Sequence, residues 1–247
     1  RTTLIIKGSV IPVQRSVAPA YGHTMGTLGL KAVHVPFFEV YTNKTKVEKI
    51  DIINNGKMPL TLEFDKVPRH LDVSVLPETL SPGEKGRILI TYHADRAKDW
   101  GIRRDEFWVK LPSSDKPQPQ NKITVSADIQ EDYSGMTPDQ IAKAPHLEIG
   151  NDLVDFGTIK GNTAVSKSVS LTNTGVSNLQ IRKVNNESQV VSVSLPQMSI
   201  QSGKSIDMKI TVRPSKSRSR LLNHRIFIIT NDPARPTISL PVVATFE

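Results

Sequence analysis

The chain of 247 residues contains no cysteine. This absence excludes disulfide bonds, thiolate-bound metals and cysteine nucleophiles together. It leaves the cellular compartment open, because an exported protein needs no disulfide when its hydrophobic core is sufficient.

Long apolar runs are also missing. No segment approaches the roughly 18 apolar residues of a membrane-spanning helix, and no signal peptide is visible. The first residue is Arg1 rather than an initiator methionine, so we expect a targeting segment to precede it in the full protein.

Motifs of known catalytic chemistry are absent from the sequence as well. The six histidines show no metal-ligand spacing, and there is no nucleophile elbow or phosphate-binding loop. His93-Ala94-Asp95 is interpreted as a surface turn, and Asp105-Glu106 as solvated carboxylates at a strand end. The sequence therefore predicts a protein that is not an enzyme and has no catalytic, metal or cofactor site.

What the sequence does contain is an internal repeat. Asn54-Asn55-Gly56 matches Asn173-Thr174-Gly175 at an offset of 119, and Phe107-Trp108-Val109 matches Phe227-Ile228-Ile229 at an offset of 120. Short runs of alternating apolar and polar residues surround both copies, separated by turn residues. Modules of about 100 residues with such strands are typical of immunoglobulin-like β-sandwiches. We therefore predict an all-β chain with two tandem sandwich modules.

The organisation of the chain follows from this repeat. Leu4–Val10 resembles the closing strand of each module, so it is interpreted either as a coincidental strand or as the last strand of a further, upstream module. Residues 11–30 are predicted to be a linker, with Leu28 and Leu30 packed onto the first module. Pro241 lacks an amide, which predicts either an edge position for the last strand or a face free of pairing there. The predicted divisions are residues 1–30, the first sandwich at 31–131, a linker at 132–145 with a short helix capped by Thr137, and the second sandwich at 146–247.

Several stretches carry a family resemblance. They are Val154–Ile159 (VDFGTI), Leu171–Gly175 (LTNTG) and Ile229–Leu240 (ITNDPARPTISL), with a looser counterpart in the first module (IINNGKMPLTL). They resemble the bacterial repeats of unknown function that are related to the ASH/Hydin group, and more distantly the major-sperm-protein and PapD-like sandwiches. The resemblance implies export from a Gram-negative cell and adds no catalytic residues. Many family members carry a Cys-Gly-Cys-Thr-like stretch where this chain has Asn185–Gln189, so no redox or metal role carries over.

The net charge of +8 is unevenly distributed. Residues 31–133 are neutral overall, whereas residues 134–247 carry a net charge of +5. Within the second part, the segment 213–225 contains five cations and no acid. It is interpreted either as an ordinary solvated loop or as a contact for an acidic partner. The candidate contact residues are Arg213, Lys216, Arg218, Arg220, Arg225 and the loop residue Trp100.

Aromatic residues make up only 5% of the chain, and there is no aromatic platform or recognition helix, which disfavours nucleic acid. Trp108 is interpreted as a cross-strand cover or an exposed platform. The leading hypothesis is a non-catalytic scaffold protein of the bacterial cell envelope, located in the periplasm, on the cell surface or outside the cell. The alternatives are a polyanion- or glycan-binding protein that uses the basic segment, and a cytoplasmic scaffold. The partner is therefore a protein or an envelope polyanion or glycan, and the oligomeric state stays open.

Overall fold

The computed structural model describes residues 20–111 and 118–247, which form twenty strands and two short α-helices. The strands of the first module are β1 His23–Met25, β2 Leu28–Leu30, β3 His34–Tyr41, β4 Thr45–Asn54, β5 Leu60–Thr61, β6 Glu63–Asp65, β7 Leu71–Leu76, β8 Thr79–Leu80, β9 Lys85–His93, β10 Gly101–Lys110 and β11 Lys122–Gln130. Those of the second module are β12 Leu147–Ile149, β13 Val154–Ile159, β14 Val165–Asn173, β15 Leu179–Asn185, β16 Val191–Ser194, β17 Ser199–Ile200, β18 Ser205–Val212, β19 Leu221–Thr230 and β20 Thr237–Phe246. The helices are α1 Ala94–Ala97 and α2 Pro138–Ala142.

The strands form where apolar residues recur at every second position. In β18, Met208, Ile210 and Val212 are completely buried, while Lys209 between them is exposed. Successive side chains of a strand point to opposite faces, so this pattern buries one face and leaves the other to solvent.

Each module consists of two facing sheets with the same strand plan, and β5 and β8 of the first module form an additional two-stranded sheet. The first module has a sheet β1-β2-β4-β9-β7 and a sheet β3-β11-β10-β6, and the second has β12-β14-β18-β16 and β13-β20-β19-β15-β17. In each module the last strand pairs in parallel with an early strand, β3 with β11 and β13 with β20, while its other neighbour is antiparallel. The predicted fold class, two tandem immunoglobulin-like sandwiches with a short helix between them, is confirmed.

The buried apolar residues fall into two separate clusters, one for each module. The first surrounds Phe37, Tyr92 and Phe107, and the second surrounds Leu171 and Met208. Each module therefore has its own hydrophobic core.

The prediction of a linker over residues 11–30 is wrong for residues 23–30. These residues form β1 and β2, and β2 continues the sheet by pairing with β4. Met25, Leu28 and Leu30 are buried, so the predicted packing of the two leucines is confirmed. The predicted strand Leu4–Val10 lies outside the described residues.

The expectation that the last strand lies at an edge is also wrong, because β20 lies between β13 and β19. Pro241 pairs with Arg225 on the β19 side, and the pairing with β13 begins only at Val242. The missing amide therefore falls outside the ladder with β13. Among the described residues, no helix has both the length and the apolar character needed to cross a membrane.

A buried asparagine closes the same turn in each module. The side-chain amide of Asn54 donates to the carbonyls of Met58 and Leu80 at 2.8 and 3.0 Å, and its oxygen accepts from the amide of Gly56 at 2.9 Å. One fully buried side chain thus satisfies three backbone groups that the turn leaves without ladder partners.

Asn173 repeats this arrangement in the second module. Its amide donates to the carbonyls of Ser177 and Ile200 at 2.8 and 2.9 Å, and its oxygen accepts from the amide of Gly175 at 3.0 Å. The sequence match at an offset of 119 therefore reflects a shared hydrogen-bonding device.

We predict that Asn173→Ala destabilises the second module, because four backbone groups lose a partner: the carbonyls of Ser177 and Ile200 and the amides of Gly175 and, at 3.3 Å, His146. A buried polar group left unpaired costs roughly 1–3 kcal/mol, so we expect the free energy of unfolding in urea to fall by about 3 kcal/mol. Thr174→Ala, at the exposed neighbouring position, is the matched control and should change this energy by less than about 0.5 kcal/mol. Equal effects of both substitutions would contradict this account.

Candidate functional site

The two modules are joined by α2 and the residues that follow it. Thr137 caps the helix by accepting from the amide of Gln140, whose side chain accepts from the Thr137 amide, so the predicted capping is confirmed. Beyond the helix, the amide of Val176 donates to the carbonyl of Ala144 at 3.1 Å. A Cβ atom on Gly175 would lie 2.4 Å from that same carbonyl oxygen. The connection therefore lies tightly against the second module, and only glycine fits at this point.

Ion pairs link the modules directly. The ammonium group of Lys183 lies 2.8 Å from the carboxylate of Asp99, and the guanidinium of Arg182 lies 2.6 Å from that of Glu131. Arg182 also lies over the ring of Trp100, 5.1 Å from its centroid. We call these five residues the module junction. Asp99 and Trp100 belong to the loop before β10, and Glu131 directly follows β11. Arg182 and Lys183 lie on β15.

Asp99 also binds within its own module. It accepts from Arg103 at 3.2 Å as well as from Lys183. Burial alone raises the pKa of Asp99, but hydrogen bonds from Lys183, the Trp100 amide and Arg103 outweigh it, so the pKa lies below its usual value. The carboxylate is therefore held in its charged form between two cations.

The same chain of charges reaches the interior of the first module. Arg103 binds Asp105 through two nitrogens, and Asp105 lies 2.9 Å from His70, which is 2% exposed. Burial raises the pKa of Asp105, but the hydrogen bonds from His70 and Arg103 bring it below the usual value. The interpretation of Asp105 as a solvated carboxylate is therefore wrong, because it lies on the inward face of β10.

The sheets of the two modules also approach each other closely next to the junction. A Cβ atom on Gly101, whose φ is +68°, would lie only 2.4 Å from Cδ1 of Ile229. Beyond this contact lies a groove of about 510 Å³. Its lining residues come from both modules and are Ile102, Arg104, Asn185, Glu187, His224, Arg225 and Phe227.

The groove combines apolar and basic side chains. Ile102 is 58% exposed and Phe227 is 36% exposed, while Arg104 and Arg225 are exposed and form no ion pair with another described residue. His224 bonds to Asn186 at 2.6 Å, and burial lowers its pKa, which favours the neutral imidazole. The groove therefore offers two arginines without ion-pair partners among the described residues, beside two apolar contacts and the carboxylate of Glu187.

The candidate basic segment lies at the surface of the second module. Arg213 donates to the hydroxyl of Ser192, and Arg225 donates to that of Ser239. Lys216, Arg218 and Arg220 are exposed in the loop between β18 and β19, and within the described part of the chain none of these five cations forms an ion pair. Only Arg225 also lines the groove.

The two tryptophans have different surroundings. Trp100 is only partly exposed and lies beneath Arg182, so the structure places this candidate contact residue inside the junction. Trp108 is also partly exposed, and the ammonium group of Lys66 lies 5.0 Å from its ring centroid. Sequence reasoning missed Ile102 and Phe227, because their exposure depends on how two modules meet.

Comparisons with known proteins agree with this architecture. Residues 145–245 match the HYDIN/CFA65/VesB-like Ig-like domain family. The second module therefore resembles the Ig-like domains of that family, and the resemblance inferred from the sequence is confirmed. No curated protein matches the sequence.

Two solved structures illustrate the likeness. A protein of unknown function from Porphyromonas gingivalis W83 superposes with a TM-score of 0.62 at 18% identity, covering 89% of this chain and 100% of that one. PapD-like domain 7 of human CEP192 superposes with a TM-score of 0.34 at 13% identity, covering 48% of this chain and 94% of that one. At 18% identity the likeness to the Porphyromonas gingivalis protein concerns the fold alone, so function has to be argued from the surfaces described above.

We predict that the Asp99–Lys183 pair couples the modules energetically. In a double-mutant cycle of Asp99→Ala and Lys183→Ala, we expect a coupling of about 1 kcal/mol in the unfolding of the second module, since both groups are about 70% shielded from solvent. Lys143 and Asp139, an exposed pair within one turn of α2, serve as the control and should couple by only about 0.3 kcal/mol. A junction coupling no larger than that of the helical pair would contradict this prediction.

Proposed function

We propose that this chain is a non-catalytic interaction protein of the bacterial cell envelope, in which two sandwich modules are held at a defined angle to bind a partner. The observation that supports it is the module junction. Two ion pairs, a cation–aromatic contact and the close approach of Gly101 to Ile229 all oppose free rotation between the modules. Surfaces that span both modules, including the groove, therefore keep one shape, which favours specific binding.

We further propose that the protein is located in the periplasm, on the cell surface or outside the cell. The support is the resemblance of the sequence to exported bacterial repeats. We also propose the domain division given above, with the first module extended to include β1 and β2, because β2 pairs with β4.

Site-directed photocrosslinking in the native cell tests this function. A photoreactive phenylalanine analogue would replace exposed residues of both modules, including Val47, Val176 and Met198, which are 55%, 65% and 45% exposed. We expect discrete crosslinked species at a subset of positions, because a specific partner contacts only part of the surface. Absence of any light-dependent species at all positions would count against an interaction protein.

A second candidate function is binding of an acidic polysaccharide or another polyanion through the basic segment. The observation that favours it is the exposure of Lys216, Arg218 and Arg220 without ion-pair partners in the described residues. Clustered cations attract polyanions, and this attraction weakens as salt screens the charges.

For this candidate we predict that Arg218→Ala combined with Arg220→Ala weakens binding on an array of acidic glycans at least fivefold and reduces its salt dependence. Lys204→Ala combined with Lys209→Ala removes the same charge from exposed positions elsewhere on the module and is the matched control. If both double variants bind equally, net charge alone is responsible and the basic segment has no special role. No binding by the unsubstituted protein would remove this candidate.

A further inference from the structure

The first module exposes an aromatic side chain in an unfavourable backbone conformation. Phe38 is 71% exposed and has a φ of +53°. Residues with a side chain rarely adopt this left-handed conformation, and bulky ones do so least. It arises at a β-bulge, where the pairing of β3 with β11 shifts register and both Phe38 and Glu39 face solvent.

The second module has the same bulge with a different residue. At the offset of 119 that relates the modules, Phe38 corresponds to Gly157, which has a φ of +63°. A register shift between Asp155 and Thr158 marks the bulge there too. Glycine adopts this conformation without steric cost, so the second module shows the residue that the backbone prefers.

A lysine supports the bulge in both modules. The ammonium group of Lys46 donates to the carbonyls of Phe37 and Glu39, on either side of Phe38, at 2.5 and 3.3 Å. In the second module Lys167 donates to the carbonyl of Asp155 at 2.6 Å. The bulge is therefore a rigid feature of the fold, and an aromatic placed on it is held in a fixed position.

The exposed aromatic has apolar neighbours that continue across the junction. Phe38 and Ile102 both line a depression of about 510 Å³ on the outer face of the β3-β11-β10-β6 sheet. Ile102 also lines the groove between the modules, together with Phe227. We call Phe38, Ile102 and Phe227 the junction stripe, because they line two adjoining depressions that share Ile102.

The charges beside the junction stripe differ at its two ends. Arg104 and Arg225 lie beside Phe227, where Glu187 is the single carboxylate among the lining residues, so cations are in excess at this end. Glu39 and Asp128 lie beside Phe38, where Lys46 is already bonded to backbone carbonyls. A uniformly acidic polymer would be repelled at the Phe38 end and would leave the apolar side chains unused.

We infer that the junction stripe is a docking site for a segment of another protein, with apolar side chains that cover Phe38, Ile102 and Phe227 and a carboxylate that binds Arg104 and Arg225. Aromatic anchors and arginines are the residue types that dominate protein–protein binding energy. This inference deepens the proposed function by specifying where the partner binds and which chemistry it presents.

Phe38→Gly provides the sharpest test, because it installs the residue that the second module has at the same bulge. We expect the melting temperature to equal or exceed that of the original protein, since the strained conformation is relieved and little buried surface is lost. Binding of the partner segment should nevertheless fall at least tenfold. If Phe38 mattered only for the fold, its replacement would instead lower the melting temperature and leave peptide binding unchanged.

The probe is a displayed library of random dodecapeptides, selected against the full chain. We expect enriched peptides that combine aromatic or aliphatic residues with an acid. By fluorescence anisotropy they should bind Phe38→Gly and Arg104→Glu at least tenfold more weakly than the unsubstituted chain. Replacing the peptide's acid with lysine should restore binding to Arg104→Glu, because the charge is then exchanged on both sides.

Arg218→Glu is the matched control, since it reverses the charge of an exposed arginine outside the stripe and should leave peptide binding unchanged. The inference is overturned if no peptide is enriched, or if enriched peptides bind Phe38→Gly as tightly as the unsubstituted chain. Loss of binding only in Arg218→Glu would assign the site to the basic segment and a polyanion instead.

Failure of this inference can be told apart from failure of the proposed function. Crosslinks in the cell at Val47, Val176 or Met198, combined with none at positions next to the stripe such as Asp128, would place the partner elsewhere and leave the proposed function standing. Absence of crosslinks at every position would remove both.

Discussion

The arrangement of the two modules depends on the carboxylate of Asp99. It lies between Arg103 of its own module and Lys183 of the other, at 3.2 and 2.8 Å. Arg103 in turn binds Asp105, which contacts the buried His70. A charge chain thus runs from the interior of the first module to the surface of the second. Because partly buried charges are costly to leave unpaired, rotation that separates Asp99 from Lys183 is opposed, and surfaces shared by both modules retain their shape.

Much of the fold follows from local sequence patterns, because one buried face imposes a period of two on each strand. The strands of both modules were predictable for this reason, whereas the helix was predictable from the capping box of Thr137 and Gln140. The hairpin of β1 and β2 was not, since strands of three residues are too short to display a period. Repeat matching also has a limit: Phe107 aligns with Phe227 in sequence, yet the first is buried and the second partly exposed. A slip of one residue exchanges the two faces of a strand, so these phenylalanines are not equivalent.

The site was less predictable, since its residues are distant in sequence. Asp99 and Lys183 are 84 positions apart, and Asp105 and His70 are 35 positions apart. Neither pair can therefore be predicted from the spacing of residues within one local motif. One signal was present in the sequence, however. Phe37-Phe38 occupies the position that Phe156-Gly157 occupies in the second module. An aromatic residue where the other copy has glycine indicates that something other than the backbone conformation determines the residue at this position. The structure adds the positive φ and the exposure that give this difference its meaning.

The repeat also relates the basic segment to the junction. In the first module, the loop between β9 and β10 carries Asp99 and Trp100, which contact the following module. The corresponding loop of the second module, between β18 and β19, carries Lys216, Arg218 and Arg220. One position in the sandwich thus presents an acid and an aromatic in one copy and a cluster of cations in the other. In the first module, a loop at this position contacts the neighbouring module. A loop of opposite charge at the same position is electrostatically complementary to a partner with acidic groups. This supports the proposal that the basic segment is a contact surface of the second module, separate from the junction stripe and suited to a different ligand.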